Sequence, residues 1–124
     1  MDEITEDLKV LIENNALALA TVSSDGKPHC IAVGYAKVVG ENQILLTDNQ
    51  MAETRENILK NSNVALSVWT RNWEEDCAGY EFKGTAQYFK QGEWINLIKK
   101  IPENQGEPCK GAILIVVNQV KKLA

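Results

Sequence analysis

One segment, Leu17 to Val68, constrains the fold more than any other part of the chain. It opens with Leu17-Ala-Leu-Ala-Thr-Val, passes through Ser24-Asp-Gly-Lys-Pro-His, and continues as a long alternating run to Val39. Asp25-Gly26 marks a tight hairpin, because both residues tolerate the positive φ that a primed two-residue turn demands. Gly40-Glu-Asn marks a second turn and Gln43 to Thr47 a third strand. Asp48 to Ala52 then reads as a loop, Glu53 to Lys60 as a short helix ended by Asn61-Ser-Asn, and Val64 to Thr70 as a fourth strand. Consecutive hairpins of this kind imply antiparallel pairing.

The first two strands differ in character. Ala16 to Val22 is small and apolar with little alternation, which suits a strand buried on both faces or one lining a narrow barrel. From Pro28 onward, Ile31, Val33, Tyr35 and Val39 take one face, and Cys30, Ala32, Gly34, Ala36 and Val38 take the other. Small side chains along a strand let another backbone or a flat ligand come close. Tight packing at a barrel corner accounts for Gly34 alone equally well.

The remainder completes the count. Ile4, Leu8, Leu11 and Ile12 recur at helical spacing, which predicts an amphipathic helix over Asp2 to Asn14, with Asp2 or Thr5 as its cap and Asn14-Asn15 as its stop. Arg71 to Cys77, with Trp73 inside it, is a polar loop. Tyr80, Phe82, Ala86 and Tyr88 alternate with Glu81, Lys83, Thr85 and Gln87 as a half-buried strand. Trp94, Leu97, Ile98 and Ile101 are spaced for a helix, Pro102 to Pro108 is a loop, and Gly111 to Val120 is a last, mostly buried strand. The expected fold is mainly β: a six-stranded antiparallel barrel, closed or partly closed, with two or three short helices, in one domain over residues 1–124.

Composition removes several function classes. A net charge of −4 argues against a nucleic-acid partner, which needs a basic face to displace counterions. The longest apolar run, Ala112 to Val117, is far short of the ~20 residues that span a bilayer. Met1 to Asp7 is acidic where a secretory leader is basic and then apolar. Cys30, Cys77 and Cys109 lie far apart without a Cys-x-x-Cys pair, so free thiols in a reducing cytoplasm are expected rather than a zinc site or a disulfide framework.

Candidates for side-chain catalysis are scarce. There is no Gly-x-Gly-x-x-Gly, no Walker-type loop and no nucleophile elbow. His29, the one histidine, sits beside a turn at a strand start and reads as an exposed or hydrogen-bonded strand residue. Glu74-Glu75-Asp76 reads as a solvated loop. The positive signal is the junction from Thr47 to Asn57, where a strand ends, a polar loop follows and a helix begins near Thr54. A helix start offers unpaired N–H groups and the positive end of a dipole, which together make a phosphate seat. Thr54 adds a hydroxyl and Arg55 a charge; alternatively, Thr54 merely caps the helix.

These segments, in this order, resemble the FMN-binding split-barrel superfamily related to pyridoxamine 5′-phosphate oxidase, in particular its short members. The residues that carry the resemblance are Ala18-Leu-Ala-Thr-Val-Ser-Ser-Asp-Gly-Lys-Pro-His, Val33-Gly-Tyr-Ala-Lys-Val, Ile44-Leu-Leu-Thr-Asp, Thr54-Arg-Glu-Asn-Ile-Leu-Lys-Asn, Val64-Ala-Leu-Ser-Val-Trp, Gly79-Tyr-Glu-Phe-Lys-Gly-Thr-Ala and Gly111-Ala-Ile-Leu-Ile-Val-Val. It implies a split-barrel homodimer with an FMN at each end of the subunit interface. The second strand would lie along the cofactor through Ala32, Val33 and Gly34. The end of the third would face the ring through the backbone of Thr47, Asp48 and Asn49, and the phosphate would rest on Met51, Ala52, Glu53 and Thr54. Many relatives carry Lys-Thr at the helix start; this chain carries Glu53-Thr54, so the phosphate's cation would be Arg55 turned inward or a lysine of the partner subunit.

Two expectations follow from the resemblance. One is an FMN-binding redox protein, a small oxidoreductase or electron carrier acting on a small molecule or a redox partner, with no catalytic side chain and no metal. The other is a non-enzymatic split-barrel dimer that binds F420 or haem or has lost its cofactor. Pyridoxamine-phosphate oxidation itself is disfavoured, because a second phosphate site needs more cations than Arg55 and Arg71, the only arginines. The apolar run Ile113 to Val117 is a further reason to expect a dimer, since on a lone barrel it would expose a hydrophobic patch.

Overall fold

The computed structural model describes residues 2–72 and 74–123, so Trp73 of the expected polar loop lies outside the described residues. Seven strands form one antiparallel sheet in the order β2-β1-β5-β6-β7-β4-β3. They are β1 (Leu17–Val22), β2 (Pro28–Val33), β3 (Lys37–Gly40), β4 (Gln43–Asp48), β5 (Asn63–Trp69), β6 (Gly79–Phe89) and β7 (Gly111–Lys122). Three helices, α1 (Glu6–Asn14), α2 (Ala52–Lys60) and α3 (Glu93–Lys100), and a 3-10 turn over Pro102–Asn104 complete the chain.

The count is seven rather than six because the alternating run from Pro28 to Val39 breaks at Gly34-Tyr35-Ala36. The reason is topological. β2 pairs only with β1 and β3 only with β4, so the two halves of the run lie on opposite edges of the sheet. The four Cα steps from Val33 to Lys37 reach at most about 14 Å, so the sheet must curl until its edges nearly meet. Those edges are bridged by the chain and not by a strand ladder, which makes the barrel a split one. A Cβ built on Gly34 would meet nothing within 4 Å, so barrel-corner packing does not explain this glycine.

Each strand shows why its sequence belongs there. Along β1, Leu17, Leu19 and Thr21 are buried and Ala18, Ala20 and Val22 half-buried, which is the lining of a narrow barrel and not a strand buried on both faces. Leu17 and Leu19 meet Leu46, Leu66, Val68, Phe82, Ile113 and Ile115 inside, and α1 lays Leu8 and Ile12, and α2 Ile58, on the same cluster. Burying one such side chain is worth about 1.5–3 kcal/mol. β4 and β7 are buried on both faces, because Leu45, Ala112 and Leu114 meet Ile95, Ile98 and Ile101 at α3. The outer face of Ile113 to Val117 is therefore largely covered within the subunit, and the patch expected to drive dimerisation is absent there.

At the amino end, Thr5 takes the cap of α1, its Oγ1 accepting from Leu8 N at 3.4 Å. The helix starts at Glu6 and not at Asp2, because Asp2 is engaged elsewhere: its Oδ2 accepts from Val120 N at 2.8 Å, tying the segment to β7.

Candidate functional site

The site is built around the end of β4. Asp48 is fully buried there. An isolated carboxylate in such a place would cost several kcal/mol, so it has to be surrounded by donors. Three converge on it: Met51 N at 2.7 Å, the Tyr88 hydroxyl, and Arg55 Nη1 at 3.4 Å. Tyr88 reaches Asp48 across Gly111, where any Cβ would fall on the tyrosine hydroxyl and ring. Burial, and secondarily the bond to Asp48, pushes the Tyr88 hydroxyl above its ordinary ionisation value. Met51 is the N-cap residue of α2 and makes no side-chain cap of its own, so Asp48 fixes the start of the helix from one turn upstream.

The same strand end clamps the loop before β7. Thr47 Oγ1 accepts from Asn104 Nδ2 at 2.9 Å, Asn49 Oδ1 from Cys109 N at 2.9 Å, and the Asp48 carbonyl from Lys110 N at 2.8 Å. Cys109 is held at a φ of 49°, the only positive φ outside glycine among the described residues. These bonds fix one wall of a cleft.

The opposite wall is β2. A cavity of about 430 Å³ lies between Ala32, Val33 and Gly34 on one side and Thr47, Asn49 and Met51 on the other, with Tyr35, Glu103, Asn104 and Glu107 at its rim. A second, of about 450 Å³, shares Ala32, Asn49 and Met51 with it and runs to the start of α2 past His29, Ala52, Glu53 and Thr54. Ala32 and Gly34 are exposed, so the small face of β2 is bare toward the cleft. A third cavity, of about 620 Å³, continues from Gly34, Tyr35 and Glu103 to Trp69 and Arg71. Burial raises the ionisation of the Tyr35 hydroxyl, with Glu103 and Glu13 adding to the effect.

Nine of the eleven residues singled out in the sequence line the first two cavities: Ala32, Val33, Gly34, Thr47, Asn49, Met51, Ala52, Glu53 and Thr54. Asp48 and Arg55 do not. They pair with each other beside the helix start, the Arg55 side chain 30% exposed and Asp48 fully buried, so Arg55 is engaged by a carboxylate rather than free for a ligand. Thr54 is not a cap, since that position belongs to Met51. Thr54 is 1% exposed, and its Oγ1 is the one buried side-chain polar atom without a hydrogen-bond partner among the described residues.

Sequence reasoning took His29 for an exposed or hydrogen-bonded strand residue; the bond is there, but its place on the cleft was not foreseen. Its Nδ1 lies 2.7 Å from Glu53 Oε2, so the glutamate that replaces the expected lysine is paired at the mouth of the cleft. The Asp25-Gly26 hairpin sets His29 opposite Thr21, and Thr21 Oγ1 accepts from Asn57 Nδ2 of α2 at 3.0 Å. The hairpin was readable in the sequence, although Gly26 alone takes the positive φ expected of both Asp25 and Gly26; the docking of α2 against β1 and β6, which brings Glu53 to His29, was not.

Known proteins place the chain independently. The family model described as pyridoxamine 5′-phosphate oxidase matches residues 3–123. An uncharacterized protein of Methanocaldococcus jannaschii is 33% identical over 125 residues, covering 98% of this chain and 81% of its own. The structure of HupZ from group A Streptococcus superposes with a TM-score of 0.87 at 27% identity, over 97% of this chain and 94% of that one. An FMN-binding protein of Syntrophomonas wolfei shares the fold with a TM-score of 0.78 at 12% identity, over 94% and 83% of the two chains. So do an F420 reductase, at 19% identity and a TM-score of 0.69 over 90% and 93% of the chains, and the haem-storage protein HutZ of Vibrio cholerae, at 16% and 0.71 over 96% and 94%. The split barrel, the cleft at its open seam and the match over nearly the whole length lead to one conclusion: the chain belongs to the pyridoxamine 5′-phosphate oxidase family.

Proposed function

We propose that the protein is a cytoplasmic FMN-binding redox protein, a small oxidoreductase or electron carrier that works as a homodimer. The observation that carries this reading is Thr54: a buried hydroxyl without a partner, in the first turn of α2, at the end of a cleft whose other wall is small and bare. A phosphate satisfies such a hydroxyl together with the unpaired N–H groups of the helix start. Ala32, Val33 and Gly34 offer a flat wall for the ring system, and Thr47 and Asn49 stand across from it. Met51, Ala52, Glu53 and Thr54 surround the phosphate end, while Asp48 and Arg55 hold that end in shape from outside the cleft.

The flavin supplies the electron chemistry in such a protein, and the chain supplies position and limited access of water. The substrate is then a small molecule or a redox partner that approaches from the 620 Å³ cavity, where the Trp69 side of the cleft opens. Arg71 is the one cation lining that cavity, against Glu13 and Glu103, which disfavours a second phosphate group and hence pyridoxamine-phosphate oxidation.

A second reading rests on Glu53, Glu103 and Glu107, whose charge opposes a bound phosphate: a split-barrel dimer that has lost its cofactor or, as in other proteins of this fold, takes F420 or haem instead. The colour of the purified protein separates the two. A yellow protein whose visible absorption bleaches on reduction supports FMN; a haem spectrum, or colourless protein that takes up no FMN on dialysis, overturns it. Thr54→Asp places a like charge at the phosphate and should weaken FMN binding at least tenfold, about 1.4 kcal/mol, with the oligomeric state unchanged. Unaltered affinity would show that the phosphate lies elsewhere. Sedimentation of a monomer at micromolar concentration would overturn the dimer.

A further inference from the structure

We propose that His29, in its doubly protonated form, is the cation that receives the ligand phosphate at the start of α2, replacing the lysine that Glu53 displaces. The inference rests on the phosphate-bearing ligand read above and names the residue that makes its seat electrostatically possible.

Three observations lead to it. First, among the described residues the cavity at the helix start is lined by no lysine or arginine; Glu53 is its only carboxylate and His29 its only group able to carry positive charge. Second, the two nearest cations in the chain are paired with carboxylates: Arg55 with Asp48 at 3.4 Å, and Lys27 with Asp25 at 3.6 Å in the turn before β2. Third, Thr54 lines the same cavity with its buried hydroxyl unpartnered, so the place that needs an acceptor lies on the cavity that His29 lines.

The pairing assigns a job to each nitrogen. Nδ1 faces Glu53 Oε2 at 2.7 Å and donates to it. Among the described residues Nε2 makes no hydrogen bond, and His29 is half-buried, its side chain 25% exposed. A neutral imidazole donating from Nδ1 presents a lone pair at Nε2, which a phosphate would reject. An imidazolium donates from both, to the glutamate on one side and to a phosphate oxygen on the other. Paired in this way at 2.7 Å, Glu53 meets the imidazolium rather than the phosphate, which offsets the repulsion that a bare glutamate would impose. His29 thus serves as a bridge between two anions at the mouth of the seat. Its strand neighbour Thr21 on β1 is neutral and is engaged by Asn57, so no further charge competes for the imidazole from that side.

The test compares FMN with riboflavin, which has the same ring and no phosphate, by fluorescence titration of the apoprotein at one pH. The ratio of the two affinities isolates the phosphate's contribution, which a packing role of His29 would not move. His29→Gln should lower FMN affinity about tenfold or more and leave riboflavin affinity unchanged, as expected for loss of a charge-assisted hydrogen bond. His29→Lys, which restores a fixed cation at the same strand position, should recover most of the selectivity for FMN. Equal loss for both ligands in His29→Gln would show a packing role and overturn the proposal. So would unchanged FMN affinity in His29→Gln while Thr54→Asp reduces it; that outcome keeps the phosphate at α2 and moves the cation elsewhere, to a partner lysine for example. A wild-type protein that binds neither flavin overturns the FMN reading and this proposal together.

Discussion

The two walls of the cleft are made in opposite ways. The β4–α2 wall is over-determined: a buried carboxylate takes three donors, and three further hydrogen bonds pin the loop that crosses it. The β2 wall is an edge strand that presents small residues, with Cys30, Ala32 and, just beyond it, Gly34 all exposed. One wall therefore has to be exact to fold at all, and the other has spare room. This is how a small domain keeps a ligand site open without losing its core: the polar atoms that must be satisfied sit in the rigid wall, and the surface left free for a ligand sits where folding asks least of it.

The strongest way to break that contrast is Asp48→Ala. It leaves Arg55, Tyr88 and the Met51 N–H without their acceptor and unpins the start of α2. A loss of about 3–5 kcal/mol is expected, read as a shift in the urea midpoint with unchanged slope. A loss below about 1 kcal/mol would mean that solvent replaces the carboxylate easily and that this wall is no more rigid than the other.

Tyr88→Phe tests the same wall more gently. Removing one donor from a buried carboxylate should destabilise by about 1.5–3 kcal/mol. The pH dependence sharpens it. Because burial and the bond to Asp48 raise the hydroxyl's ionisation above the ordinary 10.0, the fold favours the neutral form. Its contribution is present in full below that ordinary value and is lost as pH rises through the raised one. Stability of the wild type should therefore fall on the alkaline side of pH 10 and that of Tyr88→Phe should fall less. A residual slope is expected from Tyr35, which burial shifts in the same direction. Parallel pH curves for the two proteins would show that Tyr88 does not titrate as part of the Asp48 cluster.

How much of this was readable beforehand follows the same division. The strands, the Asp25-Gly26 hairpin and the three helices are written in local periodicity and turn chemistry, which depend on neighbours in the chain. The bare face of β2 was readable too, since alternation alone puts Ala32 and Gly34 on one side. What escaped depends on contacts between distant segments. The split of one alternating run into β2 and β3 follows from which edges pair, and Val33 and Lys37 carry no mark of that. Covering the outer face of β7 required the docking of α3, so Ile113 to Val117 looked exposed when it is not. Asp48 appeared as backbone facing a ring, because nothing near it announces Tyr88, 40 residues on, as its donor. Thr54 could be either a hydroxyl of the phosphate seat or a cap, and the cap is removed once the helix is seen to start at Ala52.

The bare wall should behave in the reverse manner, with little effect on stability and a large one on occupancy. Ala32→Phe adds a ring to an exposed edge position that lines both cavities of the cleft. No buried contact is removed, so stability should stay within about 0.5 kcal/mol of the wild type. The added side chain occupies the space between β2 and the Asn49–Met51 loop, so uptake of FMN and of riboflavin should fall together, unlike the selective loss expected of His29→Gln. A milder variant, Gly34→Ala, adds a Cβ that meets nothing within 4 Å and should leave folding untouched. If Ala32→Phe instead destabilised the protein by 2 kcal/mol or more, a range typical of overpacked cores, the β2 wall would be packed rather than open, and the cleft would not be the place where a flat ligand lies.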